Sequence, residues 1–196
     1  MINQPIRKKL VLDVREKGAA EFLASVLAGQ IAGLVMAVAL VAVYSLFLGR
    51  GPLFPVQVIA STALGSAALI APTLGNVIVG VVLHQFGPTL FWSIVFALIV
   101  APGRTPFTRT GAILTAIAIG GISMVIDVYL VMPPLQHLLN GHNLWSENVP
   151  QGWDWIAHLT FGGSLGLAFL AIRNRMFART RARNSLTSEE RPTLNL

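Results

Sequence analysis

Four long apolar runs constrain the fold of this chain more than any other feature. Their only Asp, Glu, Lys or Arg is Asp127, and they cover residues 22–48, 77–101, 111–132 and 155–172. An α-helix needs about 20 residues to cross a hydrocarbon core of about 30 Å at 1.5 Å per residue. Strand-like alternation is absent from the runs, so a transmembrane barrel is not indicated. We therefore predict an all-α, polytopic membrane protein with a bundle of four spanning helices.

Proline and glycine divide the chain between and within these runs. Residues 56–70 form a shorter apolar run with several polar side chains, which is typical of an extra interfacial or re-entrant helix rather than a fifth span. Gly87 and Pro88 interrupt the second run, and we expect a kink there. Pro133 and Pro134 are predicted to end the third run.

The basic residues predict how the chain is oriented. Residues 1–21 form a basic N-terminal segment, residues 22–175 the membrane domain, and residues 176–196 a basic tail predicted to be disordered. With four spans and a cytoplasmic N-terminus, Arg50 is the only Lys or Arg outside. This bias predicts a bacterial cytoplasmic (inner) membrane protein with both termini in the cytoplasm. The same orientation brings three aromatic residues to the outer interface, namely Trp145, Trp153 and Trp155.

Composition excludes several classes of function. The chain has no cysteine, so disulfides, iron–sulfur clusters and thiolate metal sites are ruled out. Its net charge of +6 comes from basic residues that flank apolar runs without aromatic residues between them. That pattern favours lipid headgroups over nucleic acid as the partner.

Three ionisable side chains lie within the predicted spans: His84, Asp127 and His158. Counted from the outer ends of their helices, all three are roughly 5 to 11 Å deep in the same leaflet, so we expect them to converge. Intramembrane ionisable groups are costly and are candidates for function. His84 and His158 are thus candidate ligands of a b-type haem or a metal, or part of a proton or quinone site. The favoured interpretation is a polar core without cofactor, in which His158 pairs with Asp127 or His84.

The remaining histidines, His137 and His142, fall in a predicted outer loop. Their spacing of five residues differs from that of a helical zinc pair, so we predict a solvated loop and no metal site. No nucleophile–base pair, phosphate-binding glycine loop or paired catalytic carboxylates can be found, and we expect the protein not to be an enzyme.

Small residues recur at helical spacing on two of the spans. Gly29 and Gly33 lie on the first, and Gly162, Gly163 and Gly166 on the fourth. Such spacing lets helices approach closely. We expect packing within this chain rather than dimerisation, although a homo-oligomer stays open.

The stretches "FWSIVFALIV", "MPPL" and "WIAHLTFGGSLG", the last followed by an arginine-rich tail, resemble the YagU-like family of small bacterial inner-membrane proteins. The resemblance extends over the architecture of Phe22 to Arg175, and in residues it is specific around Ser93 to Ala97 and at His158-Leu159. It implies a four-helix cytoplasmic-membrane protein without established chemistry, loosely linked to acid tolerance. Residues 55–72 are more apolar than the family pattern.

These patterns favour a non-catalytic accessory or structural subunit of a membrane complex, packed against other integral membrane proteins. Because histidine titrates near pH ~6.5, histidines in the outer leaflet would make such a subunit pH-responsive. One alternative is a redox subunit that binds b-type haem or interacts with quinone. A small transporter or channel is a further alternative, although no internal repeat supports it.

Overall fold

The computed structural model describes residues 4–101 and 108–189, with side chains for 17–101 and 108–179. Within these residues the chain is helical and contains no strand. The helices are α1 Gln4–Leu46, α2 Phe54–Leu64, α3 Leu74–His84, α4 Leu90–Val100, α5 Arg109–Ser123, α6 Met132–Asn140, α7 Leu144–Asn148 and α8 Gln151–Glu189. A 3-10 turn over Gly65–Leu69 extends α2, and π-helical segments join α3 to α4 over Gln85–Thr89 and α5 to α6 over Met124–Val131. The all-α prediction is confirmed.

Four helical stretches are long and apolar enough to cross a membrane, which confirms the predicted number of candidate spans. They are Lys17–Leu46, Leu74–Val100, Arg109–Asn140 and Gln151–Arg179, referred to below as the first to fourth spans. Of the described helices, the shorter apolar one comprises α2 with its 3-10 turn, Phe54–Leu69.

The first and fourth spans pack side by side along most of their length and form the centre of the bundle. Ala24, Ala28 and Ala32 are fully buried on one face of α1, where small side chains let neighbouring helices approach. Phe96 of α4 meets Phe169 of α8 edge to face, with ring centroids 5.2 Å apart. Large aromatic side chains therefore fill the space that the alanines leave.

The predicted kink in the second span is confirmed at Gly87. Its backbone angles (φ −87°, ψ −111°) are not helical, and Pro88 follows directly. Proline removes one backbone donor and its ring collides with the preceding turn, so the regular helix opens into the π segment.

The third span does not end at Pro133 and Pro134, contrary to the prediction. The helix continues as α6 to Asn140, with the prolines in the first turn after the π segment. Proline fits the start of a helix because amide hydrogens there have no partner within the helix. Consequently His137 lies on a helix rather than in a loop, and Gly141 ends that helix in the left-handed conformation at φ 78°.

Both predicted cytoplasmic segments are partly continuous with spans. α1 begins at Gln4, so most of the 1–21 segment belongs to the same helix as the first span. α8 continues to Glu189, which corrects the predicted disorder for residues 176–189. The tail there is rich in arginine and alanine, which are good helix formers, and has no Gly or Pro to stop the helix. Residues 190–196 lie outside the described part of the chain.

A short helix does occupy the region predicted to be interfacial or re-entrant. α2 packs against α3, and its buried Gln57 donates Nε2–H to the carbonyl oxygen of Ala68 at 2.9 Å. Gln136 of the third span donates to the hydroxyl of Thr62 at 2.9 Å. The first hydrogen bond stabilises the short helix and its 3-10 turn internally, and the second ties it to the third span.

Candidate functional site

A cavity of about 530 Å³ opens between the second and third spans. Met36 of the first span and Phe161 of the fourth form part of its inner wall. Phe91 and Val131 line it as well, and they are 56% and 43% exposed on the outside of the bundle. The cavity therefore opens sideways, toward the surface that lipid would cover. Its size is within the range of small-molecule sites, about 300–1,000 Å³.

The three predicted site residues line this one cavity. His84 comes from the second span, Asp127 from the third and His158 from the fourth. Both histidines are at least nine-tenths buried, and Asp127 is half-buried. Thr62, Thr89 and Ser123 add hydroxyl groups to walls that are otherwise mostly apolar.

The predicted hydrogen bond between His158 and Asp127 or His84 is not formed. Nδ1 of His158 lies 2.8 Å from the backbone carbonyl oxygen of Asp154, one turn earlier in α8. A carbonyl oxygen can only accept, so this nitrogen carries the hydrogen and the distal Nε2 of the neutral ring has a free lone pair. Sequence spacing suggested partners on other helices, but a helical side chain leans toward the preceding turn and reaches its own backbone there.

Asp127 instead accepts a hydrogen bond from Trp92. The distance between the indole Nε1 of Trp92 and Oδ2 of Asp127 is 2.8 Å, and this bond joins the second and third spans beside the cavity. Trp92 is 5% exposed and also stacks edge to face with Phe91. The sequence interpretation missed Trp92 because the tryptophans considered for function were those at helix ends. An indole N–H inside an apolar run was the available signal, since such a group needs an acceptor.

The end of the cavity beside α7 has a second polar cluster that the sequence did not predict. Trp145, a lining residue, donates its indole hydrogen to Oδ2 of Asp154 at 3.3 Å. Nearby, the hydroxyl of Tyr44 donates to the backbone carbonyl oxygen of Asn148 at 3.1 Å. α7 is thereby held across the ends of the first and fourth spans.

Both π-helical segments border the cavity. His84 immediately precedes the first, Gln85–Thr89, and Asp127 lies within the second, Met124–Val131. An extra residue in a helical turn is uncommon and is frequently found at functional sites. In each of the two spans, an ionisable side chain at or beside the π segment lines the same cavity.

The donor set around the cavity suits a neutral molecule better than haem or a metal ion. Among the described residues, no three His, Asp or Glu side chains are grouped so that they could hold a metal. The lining includes no Lys or Arg to pair with haem propionates, and its one carboxylate, Asp127, would repel them. Two imidazoles alone supply axial ligands but not the rest of a haem site.

The remaining histidines lie away from the cavity. His142 pairs with Glu147 at 2.9 Å, and both side chains are about half exposed. His137 is exposed on α6 and contacts the carbonyl oxygen of Gly141 at 3.3 Å.

The glycine faces predicted from the sequence lie at contacts within the chain. A side chain at Gly29 or Gly33 would meet Ser93, Gln85 or Thr89 of the second span. A side chain at Gly162 or Gly166 would meet the backbone of α5, whereas Gly163 faces open space.

These helices define an all-α fold with four helices long and apolar enough to span a membrane and a cavity between two of them. Comparison with protein-family models, with curated proteins and with solved structures finds no match to this chain. The resemblance to the YagU-like family therefore stays a prediction.

Proposed function

We propose that this chain is a non-catalytic integral subunit of a bacterial inner-membrane complex, with the cavity as its functional centre. The observation that supports the proposal is the convergence of His84, Asp127 and His158 on one space between the spans. Burying ionisable groups at this depth is costly, so their presence on three separate helices favours a use for the space beyond helix packing.

The distribution of charge supports an orientation with both termini in the cytoplasm. Gly18 approaches the carbonyl oxygen of Ala101, so the start of the first span and the end of the second lie at the same end of the bundle. Lys17 and Arg109 belong to that end, and Arg50 lies at the other end, with its guanidinium 4.9 Å from the ring centroid of Phe54. This is the charge asymmetry expected when basic residues stay inside.

We place α2 at the periplasmic interface in this orientation. Its 3-10 turn is followed by Ile70, which is 84% exposed, and Leu64 is also exposed. Apolar side chains at the end of a short helix favour the boundary between headgroups and acyl chains. Histidines in the same half of the bundle would make the subunit responsive to periplasmic acid.

Exposed leucines on separate spans test whether another protein covers this chain. A photoreactive benzoylphenylalanine replaces Leu98, Leu130 or Leu167, which are 64%, 62% and 63% exposed on the second, third and fourth spans. We expect irradiation in native membranes to join at least one of these positions to a single other membrane protein, and the rest to lipid. Leu165, which is fully buried, is the control position and should give no adduct with another protein. Adducts with lipid alone at all three exposed positions would refute the subunit function.

A further inference from the structure

We infer that the cavity binds a quinol, an aromatic ring with hydroxyl groups and an apolar tail, through a hydrogen bond from a quinol hydroxyl to Nε2 of His158. This inference goes beyond the proposed subunit function. It depends on the cavity geometry and on the sideways opening to lipid, not on a partner protein.

The tautomer of His158 requires a ligand group that donates a hydrogen, such as the hydroxyl of a quinol. Its Nδ1 hydrogen is committed to the carbonyl oxygen of Asp154, at 2.8 Å. Nε2 makes no hydrogen bond among the described residues, although the side chain is only 7% exposed. Because His158 lines the cavity, a ligand hydroxyl there can donate to this unused acceptor.

Two hydroxyl groups of the lining already have partners within the protein. The hydroxyl of Ser123 donates to the carbonyl oxygen of Gly120 at 2.8 Å, and the hydroxyl of Thr62 accepts from Gln136. Asp127 already accepts the indole hydrogen of Trp92 through Oδ2, and its other oxygen remains a second acceptor beside the cavity. Two acceptors match the two hydroxyl donors on opposite sides of a quinol ring, whereas the carbonyl groups of the oxidised quinone only accept.

The walls account for the ring and the tail. Phe91, Trp92, Trp145 and Phe161 line the cavity, and aromatic side chains favour edge-to-face or offset contact with another ring. The opening beside Phe91 and Val131 gives an apolar tail an exit into the bilayer. A fatty acid matches less well, because its carboxylate would approach Asp127 without a Lys or Arg in the lining.

Calorimetric titration of the purified full chain in mild detergent tests the inference with three probes. They are decylubiquinol under anaerobic conditions, its dimethyl ether, and decylubiquinone. The ether keeps the ring and tail but cannot donate. We expect saturable binding of the quinol at one site per chain, and about tenfold weaker binding of both other probes, the scale of one lost hydrogen bond in a buried site.

A variant pair locates the site. His158→Phe should lower the affinity for the quinol about tenfold and leave the affinity for the ether unchanged, because the ether does not use Nε2. His142→Phe, at an exposed histidine outside the cavity, should change neither affinity. Equal affinity of the unaltered chain for quinol and ether would overturn the inference. Loss of quinol binding when phospholipid is added at a constant mole fraction of quinol in the detergent–lipid phase would also overturn it, because it would indicate a site for acyl chains. These binding measurements use the purified chain without any other protein, so their outcome is independent of the cross-linking result.

Discussion

Replacing Gly162 with alanine should loosen the contact between the third and fourth spans. The new Cβ would lie 2.5 Å from the carbonyl oxygen of Ala116 and 2.9 Å from Cα of Ile117. Ordinary van der Waals contact begins near 3.4 Å, so the two helices must move apart by about 0.9 Å. The obstacles are backbone atoms, which cannot turn aside as a flexible side chain can.

The neighbouring glycine provides a matched control. Gly163 is on the same helix, and a Cβ there would meet nothing within 4 Å. Both substitutions gain the same helix propensity, about 1 kcal/mol, so their difference isolates the clash. Overpacking of this kind typically costs about 1–3 kcal/mol.

Thermal unfolding in detergent, followed by intrinsic fluorescence, measures that difference. For a chain of this length each kcal/mol shifts Tm by about 2–4 °C, so Gly162→Ala should unfold several degrees below Gly163→Ala. Equal Tm values for the two variants would show that the spans do not meet at Gly162, and the helix arrangement around the cavity would then be wrong.

Two further predictions concern orientation and the polar pair beside the cavity. Because the chain has no native cysteine, single replacements report topology: a membrane-impermeant maleimide should label Ser146→Cys in spheroplasts, and Thr108→Cys only after the membrane is permeabilised. The opposite labelling would reverse the proposed orientation. In a double-mutant cycle, Trp92→Phe and Asp127→Leu should show a coupling free energy of about 1–3 kcal/mol in unfolding, since each removes the same part-buried hydrogen bond. Strictly additive effects would contradict that bond.

Much of the helical layout follows from patterns that are local in the sequence. Each span appears as an apolar run, and the kink at Gly87 follows from a glycine next to a proline. Pro133 misled the prediction because the same residue that stops a helix also fits the first turn of one. To tell whether Pro133 ends one helix or begins the next, one must know that a π segment precedes it. Hydropathy does not reveal that segment.

The cavity could be predicted only in part. Helical rise predicted that His84, Asp127 and His158 share a depth, and the structure shows that all three border one cavity. Which atoms pair depends on rotation of each helix about its axis, and the π segments alter that rotation within the second and third spans. Trp92 therefore reaches Asp127, and His158 bonds to its own helix, outcomes that residue spacing alone does not determine.

The sideways opening beside Phe91 and Val131 determines which ligand concentration sets the occupancy of the cavity. A molecule entering there comes from the acyl-chain phase, where an apolar compound is enriched over water many-fold. Its effective concentration is thus a mole fraction in lipid, and adding empty vesicles at constant total ligand would empty the cavity by dilution. Saturation in a cell would follow the amount of the ligand in the membrane rather than its concentration in the surrounding water.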